Sequence, residues 1–140
     1  MIPHPVASMF RALACGIPLF AGGCSQAPGP LPCGRLGGAP MLEYQLFFGR
    51  GTVTDQQWAD FATNVVTANL PGGFTALDTE GQWMNPTTHR IVQERGKVLL
   101  VIMPDTAASA AAVANVKNAY LDRFHQQSVG NIIFPVCGAF

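Results

Sequence analysis

Apolar and polar positions alternate from Met41 to Phe48, with Leu42, Tyr44, Leu46 and Phe48 in one row and Glu43, Gln45 and Phe47 in the other. A period of two with one apolar row predicts a half-buried strand, and Gly49-Arg50-Gly51 ends it. Thr54-Asp55-Gln56-Gln57 has the form of a capping box, in which a Thr hydroxyl and a Gln side chain satisfy free amides at a helix start. Trp58, Phe61, Ala62 and Val65 follow on one helical stripe, and Pro71-Gly72-Gly73 stops the helix. Phe74–Asp78 reads as a second, short strand, and the polar segment Glu80–Pro86 as a turn. The chain returns through Arg90–Glu94 into Lys97–Met103, whose apolar run lacks alternation and so predicts a central strand covered on both faces. Pro104-Asp105 opens an alanine-rich helix with Val113, Val116, Tyr120 and Phe124 on its inward stripe. Val129–Phe140 is the last strand, with Ile132, Phe134 and Val136 alternating. The order β-α-β-β-α-β predicts an α+β, ferredoxin-like fold: a four-stranded antiparallel sheet with two helices on one face.

The N-terminus follows a different pattern. Arg11 precedes Ala12–Ala21, ten residues without a charge. A membrane-spanning helix takes about 20 apolar residues, so this run is too short to span, and Pro18 interrupts it. A basic start, a short apolar core and small residues make a secretory signal. Ala21-Gly22-Gly23-Cys24 looks like the lipobox of bacterial lipoproteins, with Ala21 where Leu is usual. The expected organisation is therefore a signal peptide at 1–23, a Gly/Pro-rich tether at 24–40 and one domain at 41–140. Cys24 would carry lipid and anchor the protein in a membrane, facing the periplasm. Ser25 after the cysteine favours the outer membrane by the same resemblance. Ordinary signal cleavage, giving a soluble periplasmic protein, is the alternative.

The cysteines follow from that compartment. Once Cys15 leaves with the signal and Cys24 takes lipid, Cys33 and Cys137 remain where thiols oxidise, so a disulfide is expected between them. A metal site needs closely spaced ligands. There is no Cys-x-x-Cys, His89 and His125 stand alone, and neither metal nor cofactor is expected.

Charge removes further classes. Eight basic and eight acidic residues in 140 give a net charge of zero. Capture of nucleic acid needs a concentrated cationic surplus, so no nucleic-acid partner is expected.

Several strings read together resemble one bacterial family of exported proteins and lipoproteins, domain of unknown function 3574. They are Phe47-Phe48-Gly49-Arg50, Val53–Trp58, Gly73–Asp78, Gly81-Gln82-Trp83, Arg90–Glu94 and Phe124–Val129. The resemblance spans Met41 to Phe140 and implies no activity. The chain departs from the family's pattern at Thr67–Pro71, where an Arg and a Phe are expected near Ala68 and Leu70.

Candidate binding residues are Arg50, Gln82, Trp83, Arg90 and Glu94. Arg50, at a strand end before a helix, could hold an anion or simply pair with Asp55 or Glu43. Trp83 in a polar segment could anchor a partner or ligand, with Gln82 beside it, or could fold back over the core. Glu43 and Glu94 could act as acid and base were their strands adjacent, with Asp78 joining them. His125 and Ser128 lack an orienting acid and oxyanion donors, and no catalytic residue is assigned. The row Glu43, Gln45 and Phe47 faces away from the helices, and an uncovered apolar sheet there would suit a homodimer or a partner. The expected role is a small envelope binding or assembly protein without catalysis. The alternative is an envelope enzyme acting on a small, possibly anionic molecule at a dimer interface.

Overall fold

The computed structural model describes residues 32–140, so the signal, Cys24 and most of the tether lie outside the described residues. Four strands, β1 (Ala39–Gly49), β2 (Thr75–Met84), β3 (Ile91–Met103) and β4 (Gly130–Gly138), form one sheet in the order β2-β3-β1-β4. Every pairing is antiparallel. Among the described residues, no helix is long and apolar enough to cross a membrane.

The row Tyr44, Leu46 and Phe48 of β1 is buried beneath the helices together with Leu99 and Val101 of β3. Phe47 on the opposite face remains 39% exposed. The first helix begins at Asp55–Phe61, and both bonds of the capping box form: Gln57 N–H to Thr54 Oγ1 at 3.2 Å, and Thr54 N–H to Gln57 Oε1 at 2.9 Å.

Its buried stripe departs from the expected spacing. Ala62–Val66 is a π turn before a last α turn at Thr67–Asn69. The extra residue moves the inward position from Val65 to Val66, which is fully buried, and carries Leu70 into the core. The Thr67 hydroxyl donates to the Ala62 carbonyl at 3.0 Å, a bond five residues back that the wider turn permits.

The second helix (Ala107–Phe124) starts at Thr106, whose Oγ1 accepts from Ser109 N–H at 3.1 Å. Val113, Val116 and Tyr120 are buried as the stripe predicts. Phe48, Trp58, Phe61, Tyr120 and Phe124 interlock, with Phe48 and Tyr120 centroids 4.8 Å apart in an edge-to-face contact.

Three expectations change. First, Glu80–Met84 is strand rather than turn. β2 pairs with β3 as far as Met84↔Ile91, and the turn is Asn85–Arg90. Pairing of β1 with β3 stops at Gly49↔Gly96, so the rest of this hairpin projects as a two-stranded arm. Every residue of Glu80–Met84 is exposed, so no burial pattern marks that stretch of β2 as strand. Second, β3 is central but not covered on both faces: Ile102 is exposed and Leu100 only half-buried. Third, part of the expected tether has regular structure, with a 3₁₀ turn at Cys33–Leu36 and β1 starting at Ala39.

The Cys33–Cys137 disulfide closes this end across 104 residues, Cα to Cα 5.2 Å. A loop of that length corresponds to about 4–5 kcal/mol in the chain-entropy account.

Candidate functional site

At the end of the sheet from which the arm projects, the open face forms a recess of about 500 Å³. Phe47 and Gly49 of β1, Trp83 of β2, Glu94 of β3, the segment His125–Ser128 and Gly130 line it. Gly49, Trp83, Glu94 and Phe47 also border an adjoining hollow of about 170 Å³. The alternation of β2 and β3 explains this placement. Trp83 pairs with Val92 and Gly81 with Glu94, so Trp83 and Glu94 share the face that the helices leave open.

Two glycines shape the recess. A Cβ on Gly49 would stand 2.7 Å from Glu94 Oε1, so the carboxylate occupies the space a side chain would take. Glu94 Oε1 also accepts from Gly51 N–H at 3.0 Å, which fixes the carboxylate over the β1 end. A Cβ on Gly130 would lie 3.2 Å from the Cβ of Phe47, its partner across the β1–β4 pairing. The far wall follows from the helix end: His125 takes a left-handed conformation (φ 51°), and Gln126 N–H returns to Leu121 O at 3.2 Å.

Arg50 lies behind this site and not in it. Its guanidinium is 1% exposed, Nη2 donates to Val53 O at 2.8 Å, and Nη1 stands 2.7 Å from Asp55 Oδ1. Nε and Nη1 make no directed hydrogen bond, so the ion pair is the main compensation for its burial. Arg50, and then Arg95, hold the Asp55 carboxyl below its ordinary range. The anion-holding expectation for Arg50 thus gives way to its alternative, pairing with Asp55, although the arginine is buried and not on the surface.

Tyr120 connects the two layers. Its hydroxyl donates to the Gly49 carbonyl at 2.9 Å. Burial pushes its pKa up to about 12, the Arg50 charge opposes the rise and Glu94 adds to it.

The other candidates separate. Gln82 points to the opposite side of the arm from Trp83 and accepts from Gln93 Nε2 at 3.2 Å, although it and Glu94 both border a further hollow of about 400 Å³ along the arm. Arg90 is exposed at the Asn85–Arg90 turn. Glu43 pairs with Ile102, eight positions along β3 from Glu94. At about 3.3 Å per residue the two carboxylates are about 26 Å apart, so no acid–base pair forms. Asp78 is on the helix side, 2.6 Å from Lys97. Phe47, Gly49, Gln126, Gln127 and Gly130 join the site without having been singled out for it. The signal available was the glycine inside or beside each strand end, which often marks a close approach.

The family model described as "Protein of unknown function (DUF3574)" matches residues 43–140. The chain belongs to the DUF3574 family. The strings lining the recess, Phe47–Gly49, Trp83, Glu94 and His125–Ser128, all fall within the DUF3574 match. No curated protein matches the chain.

Among solved structures, the DUF3574 domain is similar to a phage SAM lyase in complex with S-methyl-5'-thioadenosine. The TM-score is 0.56 and the identity 14%, over 73% of this chain and 88% of that one. The apo phage SAM lyase gives a TM-score of 0.53 at 13% identity, over 81% and 92%. CutA from Synechococcus elongatus PCC7942 gives 0.47 at 8%, over 71% and 79%. The likeness to the lyase is one of fold, an α+β ferredoxin-like sheet and helix pair.

Proposed function

We propose that this DUF3574 protein is a lipid-anchored binding protein of the cell envelope, without catalysis, that takes a small ligand or a partner's side chain in the recess around Glu94 and Trp83. One observation carries the reading. Residues from all four strands and the segment after the second helix converge on a recess of about 500 Å³. A fixed carboxylate and two exposed aromatics within that volume suit a ligand site, which is commonly about 300–1,000 Å³ with a few placed polar groups. The Cys33–Cys137 disulfide supports an exported, oxidising setting. In this reading the lipid on Cys24 holds the domain at the outer membrane, facing the periplasm. Beyond the recess, Leu77, Ile102, Ile132 and Phe134 are exposed, which supports association with an envelope partner or a second copy through the open face.

The alternative, an enzyme acting on an anionic molecule at a dimer interface, needs Arg50 and a carboxylate within one recess. Arg50 is buried against Asp55, so the geometry favours binding without an anion clamp.

Native mass spectrometry of the full-length protein, extracted from its membrane in mild detergent, tests the proposal. The expected spectrum shows a lipidated species, two protons lighter for the disulfide, with a stoichiometric adduct that Trp83→Ala loses. An unlipidated protein would remove the anchor, and a wild-type spectrum without any adduct would remove the recess.

A further inference from the structure

The charge of the recess indicates which ligand it takes. We infer that it binds an organic cation with a flat apolar flank, Glu94 serving as counter-ion and Trp83 and Phe47 as the aromatic walls; this rests on the recess being a binding site.

Arg95 is next to Glu94 in sequence, yet strand alternation sends its guanidinium to the other side of the arm, where Nη2 contacts Asp55 Oδ1 at 3.0 Å. Lys97 pairs with Asp78 on the helix side. Arg50 turns inward to Asp55. These three cations are thereby committed elsewhere, and Arg90 is at the far tip of the arm. Among the described residues, Glu94 has no ion-pair partner; no Lys or Arg lines the recess, and His125 is the one basic side chain in its lining.

Glu94 is nevertheless held. Its Oε1 accepts from Gly51 N–H, and the bare Gly49 gives it room. A carboxylate fixed in place without a cation presents negative charge to whatever enters. Trp83 is 47% exposed and Phe47 39% exposed beside it. Aromatic faces are negative and attract cations, most strongly on Trp. Carboxylate and rings therefore select the same sign of charge.

A metal ion fits less well. Hard divalent cations take about six or more oxygen ligands, several of them carboxylate, whereas the recess offers one carboxylate. Among the described residues, no group of three metal-ligating side chains gathers. An organic cation needs only one counter-ion, and its carbon flank covers the rings.

The test compares three probes of similar shape: benzyltrimethylammonium, benzyl alcohol and benzylsulfonate. Each is titrated into the full-length protein while Trp emission is followed, with Trp83→Phe locating the signal. The cation is expected to give a saturable change, and Glu94→Gln to weaken it by at least about fivefold, the size of a partly exposed charge and cation–π contact. Gln at position 94 keeps an oxygen for Gly51 N–H, so the fold is retained. Equal or tighter binding of the alcohol or sulfonate, or an unchanged affinity in Glu94→Gln, overturns the cation and leaves the recess standing. If no probe binds, a neutral or anionic native adduct also overturns the cation alone, and the lack of any adduct removes the binding site as well.

Discussion

Phe47 and Phe48 are consecutive in sequence, yet one is 39% exposed and the other 1%. The same contrast separates Trp83, 47% exposed, from Trp58, 6% exposed. On the helix face, aromatic rings meet aromatic rings: Phe48 touches Trp58, Phe61 and Tyr120. On the open face, Phe47 and Trp83 meet a carboxylate and solvent. The covered face contributes stability, and the open one leaves aromatic surface exposed. A hydrophobic residue therefore says little about role until the side of the sheet it occupies is known.

The widest test of this contrast is a pair of truncations. Phe48→Ala should cost about 3–5 kcal/mol in denaturant unfolding, because it opens a cavity in the aromatic cluster. Phe47→Ala should cost about 1 kcal/mol, since much of the ring is already wet. Equal costs would erase the distinction between the faces.

The disulfide is a second source of stability, away from both faces. Cys33→Ser is expected to lower stability by about 2–5 kcal/mol, read as a falling melting temperature with the recess otherwise intact.

A further loss of stability is expected at high pH. Tyr120 holds its proton up to about 12 in the folded state against an ordinary value of 10.0. Between those values the unfolded chain has lost the proton that the folded chain keeps. Stability should therefore be complete below pH 10.0 and fall as pH rises toward about 12. Melting curves across that range should be flatter in Tyr120→Phe than in the wild type.

The smallest expected loss of stability is at Gly49. Gly49→Ala places a methyl where the Glu94 carboxylate lies, and that carboxylate is the free end of a flexible side chain. The fold should lose under about 1 kcal/mol. Benzyltrimethylammonium should bind more weakly, because Glu94 is pushed from its seat. Unchanged binding would mean that the carboxylate's position does not matter.

Much of this molecule follows from the residues alone. The alternation of β1 divides Glu43, Gln45 and Phe47 from the buried row, because a strand's two faces have period two. The capping box at Thr54 and the stripe of the second helix are local patterns, read within a few residues. The element order led to one topology, and Cys33 and Cys137 are bonded as expected of the four cysteines.

Other features required the tertiary structure. The extension of β2 to Met84 depends on pairing with β3, since Glu80–Met84 is exposed throughout and shows no burial pattern of its own. The π turn at Ala62–Val66 shifts the buried position by one residue, a choice made by the core and not by local periodicity. Arg50 is buried because Asp55 and the Val53 carbonyl are there to receive it. The recess joins residues from Phe47 to Gly130, too distant in sequence for any spacing rule to connect. Local periodicity records which side of an element is buried; only packing between elements determines what the exposed sides share.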